Sequence, residues 1–161
     1  MSMRTAEEMA DYVQHHRFAH NDLPEEKHFT PIERILRPDE RVLVAWLAGS
    51  VFENIYTCEM VFESEAAFAF TDQRLIASGD GRIFECPLKD FNGIFVTVSD
   101  TDYGDEMLLA VKNRLMIFTA DEMLSTRLVR TVNGYLDMLH GKIAAEFDGV
   151  RCSGKPDINI S

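Results

Sequence analysis

Residues 66–78, with the sequence AAFAFTDQRLIAS, decide the fold of this chain. Phe68 and Phe70 stand two positions apart, so they fall on the same face of an extended strand. The polar residues 71–73 are typical of a turn, and the largely apolar residues from 74 to 78 supply a partner strand. The stretch therefore predicts an antiparallel β-hairpin.

More β-type segments surround this hairpin, and short turn signals separate them. The sequence Gly79-Asp80-Gly81 is a strong turn, and residues 112–113 fit a two-residue hairpin loop. A polar loop is expected over residues 99–105. The predicted strands cover residues 42–47, 66–70, 74–78, 82–86, 91–98, 107–111 and 115–118, and residues 55–62 fit either a core strand or an extended excursion.

Apolar residues at helical spacing predict a helix near the start of the chain. Thr5 followed by Glu8 forms a capping box. The apolar stripe of this helix consists of Met9, Tyr12, Val13 and His16. A second short helix is expected to begin with Thr30 as its N-cap and to end before Pro38.

A long amphipathic helix is predicted after the strands. Thr119 and Glu122 make another capping box, and Arg127 and Arg130 fall on the solvent side. The helix stops near Gly141 or continues through residues 142–147. Its apolar stripe is Leu124, Leu128, Val132, Tyr135, Leu136 and Leu139. The predicted order of elements is helices, then a meander of strands, then one helix. This order indicates an α+β fold with a mostly antiparallel sheet.

Three segments resemble bacterial pleckstrin-homology-like (PH-like) domains: LRPDERVL at 36–43, FAFTDQRLI at 68–76 and CPLKDFNGI at 86–94. Thr71, Asp72 and Arg74 carry the most specific part of this resemblance. The resemblance implies a strongly bent antiparallel sheet of about seven strands, a partly open barrel with a C-terminal capping helix. It divides the chain into an N-terminal helical arm (1–35), a PH-like domain (36–141) and a C-terminal tail (142–161).

Charge excludes several classes of partner. The chain has 16 Lys and Arg against 27 Asp and Glu, a net charge of −11, which argues against binding nucleic acid. Phosphoinositide-binding PH domains use basic residues after the first strand, whereas residues 48–55 carry no base and one acid. Phosphoinositide membrane binding is therefore not expected. The absence of an apolar leader, together with an odd number of unpatterned cysteines, favours a cytoplasmic protein.

These features predict a non-catalytic interaction or self-assembly module that needs no cofactor. The common catalytic and nucleotide-binding motifs do not occur. A short isolated helix needs a surface to bury its stripe, so Met9, Tyr12, Val13 and His16 are expected to pack on a partner, on another copy of the chain, or on its own barrel.

An alternative hypothesis is a metal- or small-ligand-binding protein that uses the histidine-rich arm. His16 and His20 are four positions apart, so they share a helical face and fit the spacing of zinc ligands. Asp22, Glu25 or Glu26 could complete such a site. The competing interpretation is a surface helix that carries histidines without a metal.

Overall fold

The computed structural model of the chain describes residues 3–15, 25–49, 51–53, 59–62, 65–101, 104–111 and 114–147. Its helices are α1 (Ala6–His15), α2 (Glu26–Ile35), α3 (Glu122–Leu128) and α4 (Gly134–Phe147), with a π-helical turn, Val129–Asn133, between the last two. Its strands are β1 (Val42–Ala48), β2 (Val51–Glu53), β3 (Glu59–Phe62), β4 (Ala66–Thr71), β5 (Arg74–Gly79), β6 (Arg82–Pro87), β7 (Phe91–Thr101), β8 (Gly104–Val111) and β9 (Arg114–Ala120).

The predicted hairpin lies at the centre of a four-stranded antiparallel sheet. Its strands β4 and β5 pair with Phe68 opposite Ala77, and the order across the sheet is β1-β4-β5-β6. The turn between β5 and β6 has Asp80 and Gly81 at φ of 52° and 74°, as a two-residue hairpin turn requires. The prediction of a turn at residues 79–81 is therefore confirmed.

A second antiparallel sheet has five strands in the order β3-β2-β9-β8-β7. The described residues thus form nine strands in two sheets where the resemblance implied about seven, because two short strands, β2 and β3, lie between β1 and β4. The open question about residues 55–62 is answered in part: Glu59–Phe62 is an edge strand, and residues 54–58 lie outside the described residues.

The predicted polar loop over residues 99–105 is wrong. Strand β7 continues to Thr101, β8 begins at Gly104, and these two residues pair with each other. Main-chain pairing does not require apolar side chains, so a ladder can extend beyond the apolar part of a hairpin. Residues 102–103 lie outside the described part of the chain.

The main core lies between the two sheets and beneath α3 and α4. Aromatic rings fill its centre, with Trp46 stacked on Phe68 at 4.9 Å between ring centroids and on Phe118 at 6.0 Å. The last helices contribute Leu124, Leu128, Val132 and Leu136, all buried in the same cluster. The predicted apolar stripe therefore faces the core.

The N-terminal arm covers the outer face of the four-stranded sheet. Ala45, Ala67 and Ala69 lie on that face, and their small side chains allow a helix to approach closely. The arm packs on this face with Met3, Ala6, Met9, Ala10, Val13, Phe29 and Ile32. This explains why β1 is apolar on both faces. Strands β1, β4 and β5 are buried on both faces, whereas the edge strand β6 is largely exposed.

Two helix boundaries differ from their predictions. Helix α2 begins at Glu26 rather than after Thr30, because Glu25 and His28 form a reciprocal capping box and Pro31 lies inside the helix. Helix α3 is capped by Asp121 rather than by Thr119. Strand β9 runs through Ala120, and the Asp121 carboxylate then accepts the Leu124 N–H at 3.0 Å.

The π-helical turn has a geometric reason. Leu124, Leu128, Val132 and Leu136 repeat at intervals of four residues, which in a regular α-helix would drift steadily around the axis. A wider turn at Val129–Asn133 corrects this drift and keeps all four residues buried. None of the described helices is long and apolar enough to cross a membrane.

Candidate functional site

Thr71 and Arg74, two of the residues that carry the resemblance, form a buried ionic cluster with Glu40. Arg74 donates from Nε to Glu40 Oε2 and from Nη2 to Glu40 Oε1, both at 2.8 Å. Thr71 donates its hydroxyl to Glu40 Oε2 at 2.7 Å and accepts the Arg74 main-chain N–H at 2.9 Å. Glu40 and Thr71 are fully buried, and Arg74 is 6% exposed. The bidentate geometry is that of a strong charge-assisted pair.

The same guanidinium ties separate segments of the chain together. Arg74 donates to the main-chain oxygen of Ile35 at the end of α2, at 2.6 Å, and bonds the Glu85 carboxylate on β6. Asp72 accepts the Arg41 main-chain N–H at 3.1 Å and so fixes the start of β1. Thr71, Asp72 and Arg74 thus join the hairpin to the arm and to both neighbouring strands. All three bond groups of their own chain.

The cluster makes stability depend on pH. Burial by itself raises the pKa of Glu40, but hydrogen bonds from Arg74, the Arg37 N–H and Thr71 outweigh it and lower that pKa below its usual 4.5. A carboxyl whose pKa is depressed by folding stabilises the fold when ionised. Its contribution is therefore complete above the unfolded pKa and is lost as the pH falls through the folded pKa.

We expect the free energy of unfolding to fall as the pH drops below about 4.5, and Glu40→Gln to flatten this dependence. Urea unfolding at several pH values, from about 7 to about 3, measures it. Asp11→Asn, at an exposed carboxyl on α1, serves as the control. If the free energy of unfolding of Glu40→Gln falls equally steeply with pH, the dependence arises from other carboxyl groups.

The arm residues predicted as an interface pack within the chain. Met9 and Val13 are buried against α2 and β1, so they cannot reach a partner without leaving the core. Tyr12 is half-buried and bonds Arg127 of α3; burial raises the pKa of Tyr12 and Arg127 opposes that rise. Of the three places expected for this stripe, Met9 and Val13 lie on the chain's own four-stranded sheet. His16 lies outside the described residues.

The predicted metal ligands His16 and His20 also lie outside the described residues. Within the described ranges, no group of three or more His, Cys, Asp or Glu side chains could hold a metal ion. His28 is used structurally: it accepts the Glu25 N–H through Nδ1 at 3.1 Å, and its Nε2 lies 3.4 Å from Glu65.

The outer face of the five-stranded sheet carries apolar residues that the arm leaves uncovered. The strand register places Phe95 opposite Leu108, and Leu108 opposite Ile117. We call these three residues the outer row. Ala110 and Leu115, which lie opposite each other on β8 and β9, form a second row beside it. Their inward neighbours Met107, Leu109 and Met116 are buried in the core, whereas the outer row is partly exposed.

Phe95 is the most exposed member of the outer row, at 44%. Gly93, two residues earlier, has φ of 120°, and a Cβ placed there would lie 3.1 Å from the Phe95 ring. The ring therefore lies over the glycine, which needs this left-handed conformation. The sequence predicts the strand over residues 91–98 but not this apolar face. The signal in the sequence is that apolar residues occupy both faces of β8. One of these faces packs on the core, and the arm covers only the other sheet.

The sequence matches no protein-family model and no curated protein.

Proposed function

We propose that this chain is a non-catalytic interaction module that associates with a second copy of itself through the outer row. The outer row carries the proposal, since it is an apolar, uncharged surface on a chain with a net charge of −11. We further propose that the fold is PH-like, with the two sheets forming a partly open barrel that α3 and α4 close, and that the protein acts in the cytoplasm.

The contrast between the two sheets supports this proposal. The outer face of β1, β4 and β5 is buried beneath α1 and α2, whereas Phe95, Leu108 and Ile117 of the five-stranded sheet remain partly exposed. Apolar patches on a protein surface commonly mark interaction sites. The buried ionic cluster supports the non-catalytic part, because Glu40, Thr71 and Arg74 are engaged in holding the fold.

The size of the patch sets the expected strength of the association. Strands lie about 4.8 Å apart, so the three residues of the outer row span roughly 10 Å. A stable interface buries about 800 Å² from each partner, and the row supplies a fraction of this. The association is therefore expected to be weak and concentration-dependent. Added salt should strengthen it, since each copy carries a charge of −11 that repels the other.

Sedimentation velocity of the full chain over a range of concentrations tests this proposal. We expect the weight-average mass to rise with concentration for the wild type, and to stay at 18.3 kDa for Phe95→Ser. The loss of one large aromatic anchor costs a weak interface most of its affinity. Phe95 is already 44% exposed, so the fold should tolerate the change.

Met138→Ser is the matched control. Met138 is 61% exposed on α4, away from the outer row, so its loss should leave the association unchanged. A wild-type chain that stays monomeric at every concentration would refute the proposal. So would a dimer that forms equally well in Phe95→Ser.

A further inference from the structure

We infer that the free edge of β7 binds an extended peptide that carries an acidic residue. Strand β7 is the last strand of its sheet and pairs with β8 alone among the described strands. An unpaired strand edge presents N–H and C=O groups that can pair with another chain. The inference names a partner class for the interaction module proposed above, but it uses a different surface.

One position on this edge is already occupied by a side chain. Asn133, in the π-helical turn, accepts the Ile94 N–H through Oδ1 at 3.0 Å and donates from Nδ2 to the Ile94 oxygen at 2.8 Å. Its carboxamide therefore imitates a neighbouring strand. This contact shows that the main-chain groups of Ile94 point away from β8.

The next position along the edge is open. Main-chain groups of an edge strand alternate in direction, so those of Val96 point the same way as those of Ile94. Within the described residues, no group bonds the Val96 N–H or C=O at this edge. Val96 is itself 37% exposed. An added strand would find its first main-chain partners here.

A groove beside Val96 can receive the side chains of such a strand. It has a volume of about 460 Å³ and is lined by Val96, Ser125, Thr126, Val129 and Arg130. A neighbouring groove of about 400 Å³ shares Thr126 and Arg130 with it. The floor near β7 is therefore apolar, with Val96 and Val129, and the outer wall carries a cation.

Charge complementarity identifies the chemistry of the peptide. Arg130 is exposed and lines both grooves, and within the described part of the chain it forms no ion pair. It is a positive site on a strongly acidic protein, so it favours an Asp or Glu of the partner. Alternate residues of a strand face the same side. The peptide should therefore carry an acidic residue two positions from an apolar residue that packs on Val96 and Val129.

The test is a selection from a phage-displayed library of random nine-residue peptides on the immobilised full chain. We expect the selected peptides to share an acidic residue two positions from an apolar one. The consensus peptide, synthesised with blocked ends, is then titrated against variants by fluorescence anisotropy. Val96→Pro removes the edge N–H and should weaken binding about tenfold or more. Arg130→Glu reverses the charge and should weaken it by a similar factor.

Arg34→Glu is the matched control, because Arg34 is an equally exposed arginine on α2, which packs on the other sheet. Its binding should equal that of the wild type. If Val96→Pro does not fold, Arg130→Glu decides the matter, since it changes an exposed helical side chain. The inference is overturned if no peptide is selected, or if binding survives Arg130→Glu. Phe95→Ser separates the two proposals, because it should abolish dimerisation while the peptide still binds.

Discussion

Glu40→Ala is expected to lower the free energy of unfolding by about 3–5 kcal/mol, the usual cost of removing one member of a buried ion pair. Glu40 is fully buried and Arg74 is 6% exposed, so water cannot replace the lost carboxylate. Thr71 would lose a hydrogen-bond acceptor in the same step. Urea unfolding followed by circular dichroism measures the change.

Glu85→Ala provides the comparison within the same cluster. Glu85 also bonds Arg74, but its side chain is 46% exposed, so its loss should cost less than about 1 kcal/mol. The double variant Glu40→Leu/Arg74→Met should be more stable than Glu40→Ala, because it removes both charges together. Equal losses for Glu40→Ala and Glu85→Ala would show that burial does not determine the strength of this cluster.

Trp46→Ala is expected to cost about 3–5 kcal/mol, or to prevent folding, because it empties the centre of the main core. The indole is 1% exposed and lies flat on Phe68, with 4° between the ring planes. It also stacks on Phe118, which belongs to the other sheet. One side chain thus connects the two sheets, and the two stacked contacts would be lost together. Thermal and urea unfolding both report the effect.

Trp46→Phe separates packing from hydrogen bonding at the same position. Among the described residues, the buried Nε1 of Trp46 has no hydrogen-bond partner, and such a donor carries a desolvation cost. Phenylalanine removes this donor while keeping an aromatic ring against Phe68. We expect a loss of about 1–2 kcal/mol, well below that of Trp46→Ala. A loss as large as that of Trp46→Ala would show that the phenylalanine ring does not preserve the packing against Phe68.

The β-hairpins could be predicted because their signals are local. Alternating side chains and the Asp80-Gly81 turn depend on neighbouring residues only, and the structure confirms them. The cap of α1 is equally local, and Thr5 and Glu8 bond each other's main-chain N–H groups as predicted. The cap of α2 was placed at Thr30 because Pro31 usually opens a helix. The structure shows that the capping box at Glu25 and His28 lies earlier.

The candidate site depends on contacts that are distant in sequence, which local patterns do not contain. Glu40 and Arg74 meet across 34 positions, and Ile94 meets Asn133 across 39. The outer row requires the register of three strands. Arg130 is predicted to face solvent, and it does, but its place in a groove beside β7 follows only from the packing of the π-helical turn.

The N-terminal arm limits the number of copies that can join the proposed assembly. In the described part of the chain it leaves the five-stranded sheet with a partly exposed outer face and covers β1, β4 and β5 of the other sheet. When two copies associate through the same patch, both patches are buried and the dimer is closed. A chain shortened to begin after α2 would present two apolar faces and could grow without limit. Because the arm covers the second apolar face, it restricts the proposed assembly to two copies.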